Sequence, residues 1–123
     1  MSKPITQTPD GDTAAEPDRI LSSAHLATGR YPELSELEFG MIVAYNAFSR
    51  WITRCMAGAG ESDLAVNDIL VLHHVHHRGR TKKLADICFT LNYEDTHVIN
   101  YCLKKLVTMK LIGGEKIGKE VFY

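Results

Sequence analysis

The residues most able to do chemistry lie between Asp95 and Met109. Read as a helix, this stretch turns Ile99, Cys102, Leu103 and Leu106 inward. His97, Asn100, Tyr101 and Lys104 then share the opposite face by i, i+3, i+4, i+7 spacing. A helix in the major groove of duplex DNA needs such a face. Asparagine pairs bidentately with adenine, lysine reaches guanine or phosphate, and histidine and tyrosine donate to base edges or phosphate oxygens. Thr96, in the first turn, joins this set. A plain solvated face is the competing reading. Glu94 and Asp95 stand where the helix would enter the groove, and carboxylates repel phosphate. Asp95 has a second use as the helix cap. Glu94 has none, beyond accepting from cytosine N4.

Cations flank this stretch on both sides. Arg78, Arg80, Lys82 and Lys83 cluster where one predicted helix ends and the next begins. Arg80, Lys82 and Lys83 are candidate phosphate contacts, with Lys82 expected to hold the backbone without reading sequence. Lys116 and Lys119 flank the tip of a predicted hairpin, where a wing can follow the backbone or the minor groove. Each of these alone would serve equally as a solvating charge.

Other chemistry is thinner. His73, His74, His76 and His77 form an HHVHH run, and His73 with His77 could bind one metal from one helical face, but no third ligand is evident. Imidazoles charged beside a helix C-terminus are the alternative. Cys55, Cys88 and Cys102 are odd in number and unclustered, which reads as reduced, buried packing thiols of a cytoplasmic protein. There is no Ser/His/Asp order, paired-carboxylate spacing, phosphate-binding loop or dinucleotide glycine motif, so no catalysis, metal or other cofactor is expected.

The elements that must position these residues follow from the pattern. The 123 residues suffice for one domain, and 45% hydrophobic with 24% charged residues excludes a wholly disordered chain. No apolar run approaches a membrane span, and the first residues lack the apolar stretch of a secretory signal. The net charge of -1 conceals an asymmetry. Residues 1–69 carry five Lys/Arg against ten Asp/Glu, whereas residues 70–123 carry nine against five, with five of the six histidines.

Residues 1–18 read as a flexible tail and 19–28 as a short helix stopped by Gly29 and the Tyr31-Pro32 step. Ser35 and Glu38 fit a capping box, with Leu34 and Phe39 as its staple, opening a long helix to about Ala57. That helix carries more apolar surface than a small domain can cover, so residues 19–60 are expected to form a dimerisation region. Further helices are predicted from Leu64 to Arg78, from Thr81 to about Thr90 and from Asp95 to Met109. A glycine-punctuated hairpin closes the chain. Helix, helix, tight polar turn, helix and hairpin is the order of a winged helix-turn-helix: mainly α with a small β-hairpin wing, over 61–123.

Residues 35–123 resemble the MarR (multiple antibiotic resistance regulator) family of bacterial winged-helix transcription factors. The likeness rests on the long helix 35–57, "NDILVLHHV", "KKLADICFTLN" with its Leu84-Ala85 pair, and "THVINYCLKKLVTMKLI". In the last, Lys104-Lys105-Leu106 and then Met109-Lys110-Leu111-Ile112 match the family's way of closing its reading helix. Lys110 stands where a glycine is usual, and the wing lacks the family's Asp-x-Arg. The C-terminal helix that helps these proteins dimerise has no counterpart here, as in a fragment of a longer protein. The resemblance implies a transcriptional regulator that binds palindromic double-stranded DNA as a homodimer and answers to a small-molecule effector. Two other classes remain open: a winged-helix protein-interaction module that does not bind DNA, which Glu94 and Asp95 favour, and a metal-responsive sensor using His73 and His77.

Overall fold

The computed structural model describes residues 31–123; the tail expected over 1–18 and the short helix expected over 19–28 lie outside the described residues. Helix α1 runs Pro32–Gly58. It begins three residues before the expected cap, because proline at the first helical position brings a preset φ and has no amide hydrogen to leave unpaired. Ser35 and Glu38 are therefore residues inside the helix, and the capping box and staple expected there do not form. At the other end Gly60 takes φ +98°, the left-handed region that suits glycine, and the Glu61 amide donates to Met56 O at 2.9 Å. The chain divides into two compact units, one ending at Ile42 and one spanning Val43–Tyr123.

The second unit holds helices α2 (Val66–His76), α3 (Leu84–Leu91) and α4 (Thr96–Thr108), then strands β1 (Glu115–Ile117) and β2 (Glu120–Phe122). The strands pair antiparallel, with Ile117 opposite Glu120 across a two-residue turn. Gly118 is left-handed at the first turn position, where a type II′ turn takes glycine. Val71, Ile87, Ile99, Leu103 and Leu106 are fully buried at the centre of the core. Ile52, Leu64, Ile69, Cys88 and Cys102 surround them. The inward set expected on α4 is thus wholly buried. On α2 the deepest residue is Val71, whereas Leu70, Leu72 and Val75 are only partly covered. Cys55 is exposed, contrary to the expectation that all three thiols are packing residues.

Two helices differ in extent from the sequence pattern. Helix α2 stops at His76 and passes into a short 3-10 turn, His77–Gly79, with Arg78 at φ 63° and Gly79 at φ 56°. Helix α3 starts at Leu84 rather than Thr81, because the preceding residues are extended and paired with the chain's last strand. The Lys82 amide donates to Tyr123 O at 3.0 Å, and the Tyr123 amide donates to Lys82 O at 2.9 Å. The Lys83 amide then donates to Asp86 Oδ2 at 3.3 Å, satisfying one orphan group at the helix start.

One ion pair links α2 to α4. Asp68 is buried and accepts from the Ala65 amide at 2.9 Å and from Lys105 Nζ at 2.6 Å. Lys105 Nζ also donates to Asp63 O at 2.7 Å. Burial works to raise the Asp68 pKa, but Lys105, the Ala65 amide and the Cys102 thiol outweigh it and hold the carboxyl below its ordinary 3.8. Burial and the adjoining carboxylate push the Cys102 thiol up to about 12, so it stays protonated.

The Asp68 pair stabilises the fold above pH 3.8, and that contribution is lost as the pH falls through the lowered folded value. Lys105→Met should cost about 1.5–3 kcal/mol at pH 7. It should also reduce the loss of stability on acidification below pH 3.8, as read by urea unfolding across a pH series. A second expectation concerns Lys110, whose φ of 61° follows the end of α4 in the left-handed region. Lys110→Gly should stabilise the protein by about 0.5–1 kcal/mol through relief of that conformation, visible as a higher urea midpoint.

Candidate nucleic-acid interface

The link between α3 and α4 is short and tightly specified. Asn92 is left-handed at φ 56°, a conformation that asparagine tolerates, and closes α3. The Tyr93 amide donates to Cys88 O at 2.9 Å. Asp95 then caps α4, its Oδ1 accepting from the His97 amide at 2.9 Å. The Asp95 carboxylate is therefore committed to the helix start, whereas Glu94 is exposed in the turn. Beyond the cap, Thr96, His97, Tyr101 and Lys104 are all exposed on the outer face of α4. Tyr101 has 70% of its surface open to solvent, large for an aromatic side chain.

Asn100 lies differently from the mid-face position its spacing suggested. It is half-buried and lines a hollow of about 340 Å³ with Lys83, Ala85, Lys119 and Glu120. Its neighbours are the start of α3 and the wing, so it stands on the flank of α4 that faces them. Lys116 and Lys119 are exposed on the hairpin. Exposed Ile117 lies between them on the same strand and turn.

The basic run of Arg78, Arg80, Lys82 and Lys83 does not form one phosphate clamp. Lys82, expected at a phosphate, is buried, and its ammonium donates to Val75 O at 3.0 Å, His77 O at 2.7 Å and Arg80 O at 3.1 Å. Three carbonyls occupy all three of its protons, so it contributes no phosphate contact. Lys83 Nζ pairs with Glu120 at 3.2 Å, joining α3 to the wing and offsetting its own charge. Arg78 Nε donates to His77 Nε2 at 3.2 Å. Arg80 lines a separate open hollow of about 790 Å³ with His74, Asp86 and Phe89, between the end of α2 and α3.

The histidine run is spread over α2 and the following turn. The His73 and His77 rings are 6.0 Å apart and tilted. Among the described residues no group of three or more His, Cys, Asp or Glu could hold a metal ion. Burial first, then the Lys82 ammonium and the imidazoles of His77 and His73, hold His74 below the ordinary 6.5. Its environment thus opposes the charged form that a helix C-terminus alone would favour.

Two side chains that the pattern did not single out matter here. Lys105, next to the outward Lys104, turns to Asp68 and is structural. Phe89 on α3 is 89% exposed. Periodicity leaves Phe89 off the inward set but carries no signal for so open an aromatic.

No helix among the described residues is long and apolar enough to cross a membrane. Nothing among curated proteins or solved structures matches the chain. Residues 64–123 match the family model described as a winged helix DNA-binding domain. That match spans α2, α3, α4 and the hairpin, and this part of the chain is a winged helix-turn-helix domain.

Proposed function

We propose that the protein is a cytoplasmic transcriptional regulator of MarR type that binds duplex DNA as a homodimer and is not an enzyme. The observation that carries this reading is the exposed polar face of α4, with His97, Tyr101 and Lys104, on the same winged helix as exposed Lys116 and Lys119. In this reading α4 enters the major groove and the hairpin follows the backbone. Thr96, His97, Tyr101 and Lys104 face the groove, Asn100 reaches it from the flank beside the wing, and Arg80, Lys83, Lys116 and Lys119 meet phosphates. A two-fold pair of domains would read half-sites about one helical turn apart. A small-molecule effector releasing the DNA belongs to the same reading through the family resemblance.

A second reading, a protein-interaction module, is favoured by exposed Glu94 at the start of α4 and by exposed Phe89. The two are separated by titrating the protein with random and selected duplexes at several salt concentrations. The DNA reading expects affinity to fall steeply as salt rises. Absence of duplex binding at low salt by dimeric protein would leave the interaction module.

Lys104→Ala should weaken binding to all duplexes and flatten the log-affinity against log-salt slope by roughly one unit. Lys82→Met should instead lower the melting temperature and leave that slope unchanged, since its ammonium is bound to carbonyls. Asn100→Ala should cost about 1–3 kcal/mol on the preferred site and relax discrimination at one base pair, read by competition against single-base variants. Equal losses on selected and random DNA would place Asn100 outside base reading.

A further inference from the structure

Two ion pairs of the winged helix are built in opposite ways. Asp68 and Lys105 meet at 2.6 Å, with the Asp68 side chain only 3% exposed. Lys83 and Glu120 meet in the open. The Lys83 Nζ lies 3.2 Å from Oε1 and 3.3 Å from Oε2 of Glu120, and the two side chains are 38% and 55% exposed. Breaking a buried pair strands a charge away from water. An exposed pair gives up little, because water solvates both partners once they part. Both Lys83 bonds are also longer than the roughly 2.7–2.9 Å of a strong charge-assisted contact. The Lys83–Glu120 pair is therefore the one that another anion can enter.

The wing does not need this pair to stay attached. Lys82 and Tyr123 exchange two backbone hydrogen bonds, and Lys83 forms a backbone bridge with Phe122. These contacts hold the root of the hairpin. Glu120 opens β2 just after the turn, opposite Ile117, so its carboxylate lies towards the tip. The neighbouring tip lysines, Lys116 and Lys119, have no ion-pair partner among the described residues. Among the described residues, Glu120 is also the one carboxylate lining the hollow of about 340 Å³ where α3, the Asn100 flank of α4 and the wing come together. Lys83 and Lys119 line the same hollow.

We propose that Lys83 exchanges Glu120 for a phosphate of the DNA backbone, and that Glu120 is thereby a tethered competitor that weakens duplex binding. This rests on the DNA reading of the winged helix. The exchange keeps the charge of Lys83 paired throughout and leaves the Glu120 carboxylate solvated beside the duplex. Each binding event therefore loses one ion pair within the protein and gains one with phosphate. Lys104, Lys116 and Lys119 meet phosphate without leaving a partner. Glu120 acts through Lys83, as a positioning residue whose effect should vanish with that ammonium.

The test measures the affinity of the full chain for a random-sequence duplex across a salt series, in wild type, Lys83→Met, Glu120→Gln and the double variant. Glu120→Gln should tighten binding roughly fivefold, the upper value for release of an exposed pair. Such a gain cannot come from a damaged fold. In the Lys83→Met background the same substitution should gain no more than about twofold, the share left to screened repulsion between carboxylate and phosphate. Lys83→Met alone should flatten the log-affinity against log-salt slope by roughly one unit, which a merely structural pair would not do. It should also cost less affinity in wild type than in the Glu120→Gln background. An undiminished gain in the Lys83→Met background would make Glu120 a plain repulsive charge and overturn the exchange. Absence of any gain overturns it as well, as does a salt slope unchanged by Lys83→Met. In each of these three cases wild-type binding persists and the DNA reading survives. If wild-type protein binds no duplex at low salt, the DNA reading and this proposal fall together.

Discussion

The ammonium of Lys82 sits where the ends of three elements meet. A buried lysine costs several kcal/mol in lost hydration unless its protons are satisfied. Here the carbonyls of Val75, His77 and Arg80 take all three. Those acceptors fix the end of α2 and the turn that follows it. The backbone of the same residue pairs in both directions with Tyr123, anchoring the base of the wing. One step further on, the Lys83 amide is caught by Asp86 as α3 begins. The placement of α2, α3 and the hairpin around α4 thus depends on one residue whose own protons are all taken up within the fold.

Much of this arrangement is written in local pattern. The inward set of α4 follows from periodicity alone, because a helix that buries one side must repeat its apolar residues every three to four positions. The Asp95 cap is equally readable, since a short carboxylate ahead of a helix meets its free amides. The hairpin is announced by glycines and β-branched residues. What local pattern misses is set by distant partners. Lys82 and Lys83 are adjacent and chemically alike, yet one turns inward to carbonyls and the other outward to Glu120. Only the pairing of residue 82 with residue 123 distinguishes them. The late start of α3 has the same origin. Thr81 is an adequate cap, but the following residues are held extended by the last strand. At the head of α1 the competition is local: Pro32 contends with Ser35 for the start and wins through its fixed φ.

The candidate interface was legible in its residue types and less so in its grouping. Four cations in six positions suggest a single positive edge. The fold sends them into four environments: Arg78 beside His77, Arg80 in the hollow between α2 and α3, Lys82 on buried carbonyls and Lys83 paired with Glu120. Spacing puts Asn100 off the inward set of α4, but its position beside the wing depends on the pairing that ties the end of the hairpin to the residues before α3. The histidines show the same limit in electrostatic form. A helix C-terminus favours charged imidazole, whereas the nearby Lys82 ammonium and burial oppose it at His74.

The pairing of Lys82 with Tyr123 also bears on how the domain assembles. It closes a loop of some forty residues between its ends. The Asp68–Lys105 pair of α2 and α4 closes a loop of similar length, but it is backed by the buried core the three helices share, whereas the wing's strands are largely exposed and join the core through this backbone pairing. Loop closure of that length is costly in entropy before any contact rewards it. The three helices are therefore expected to form first and the wing to dock onto them last. In the native protein the reverse opening is the least costly: the hairpin can lift away while the helical core stays closed. Amide hydrogens at Lys82 and Tyr123 should then exchange with solvent through wing detachment, well before those at Leu103 and Leu106 in the centre of α4.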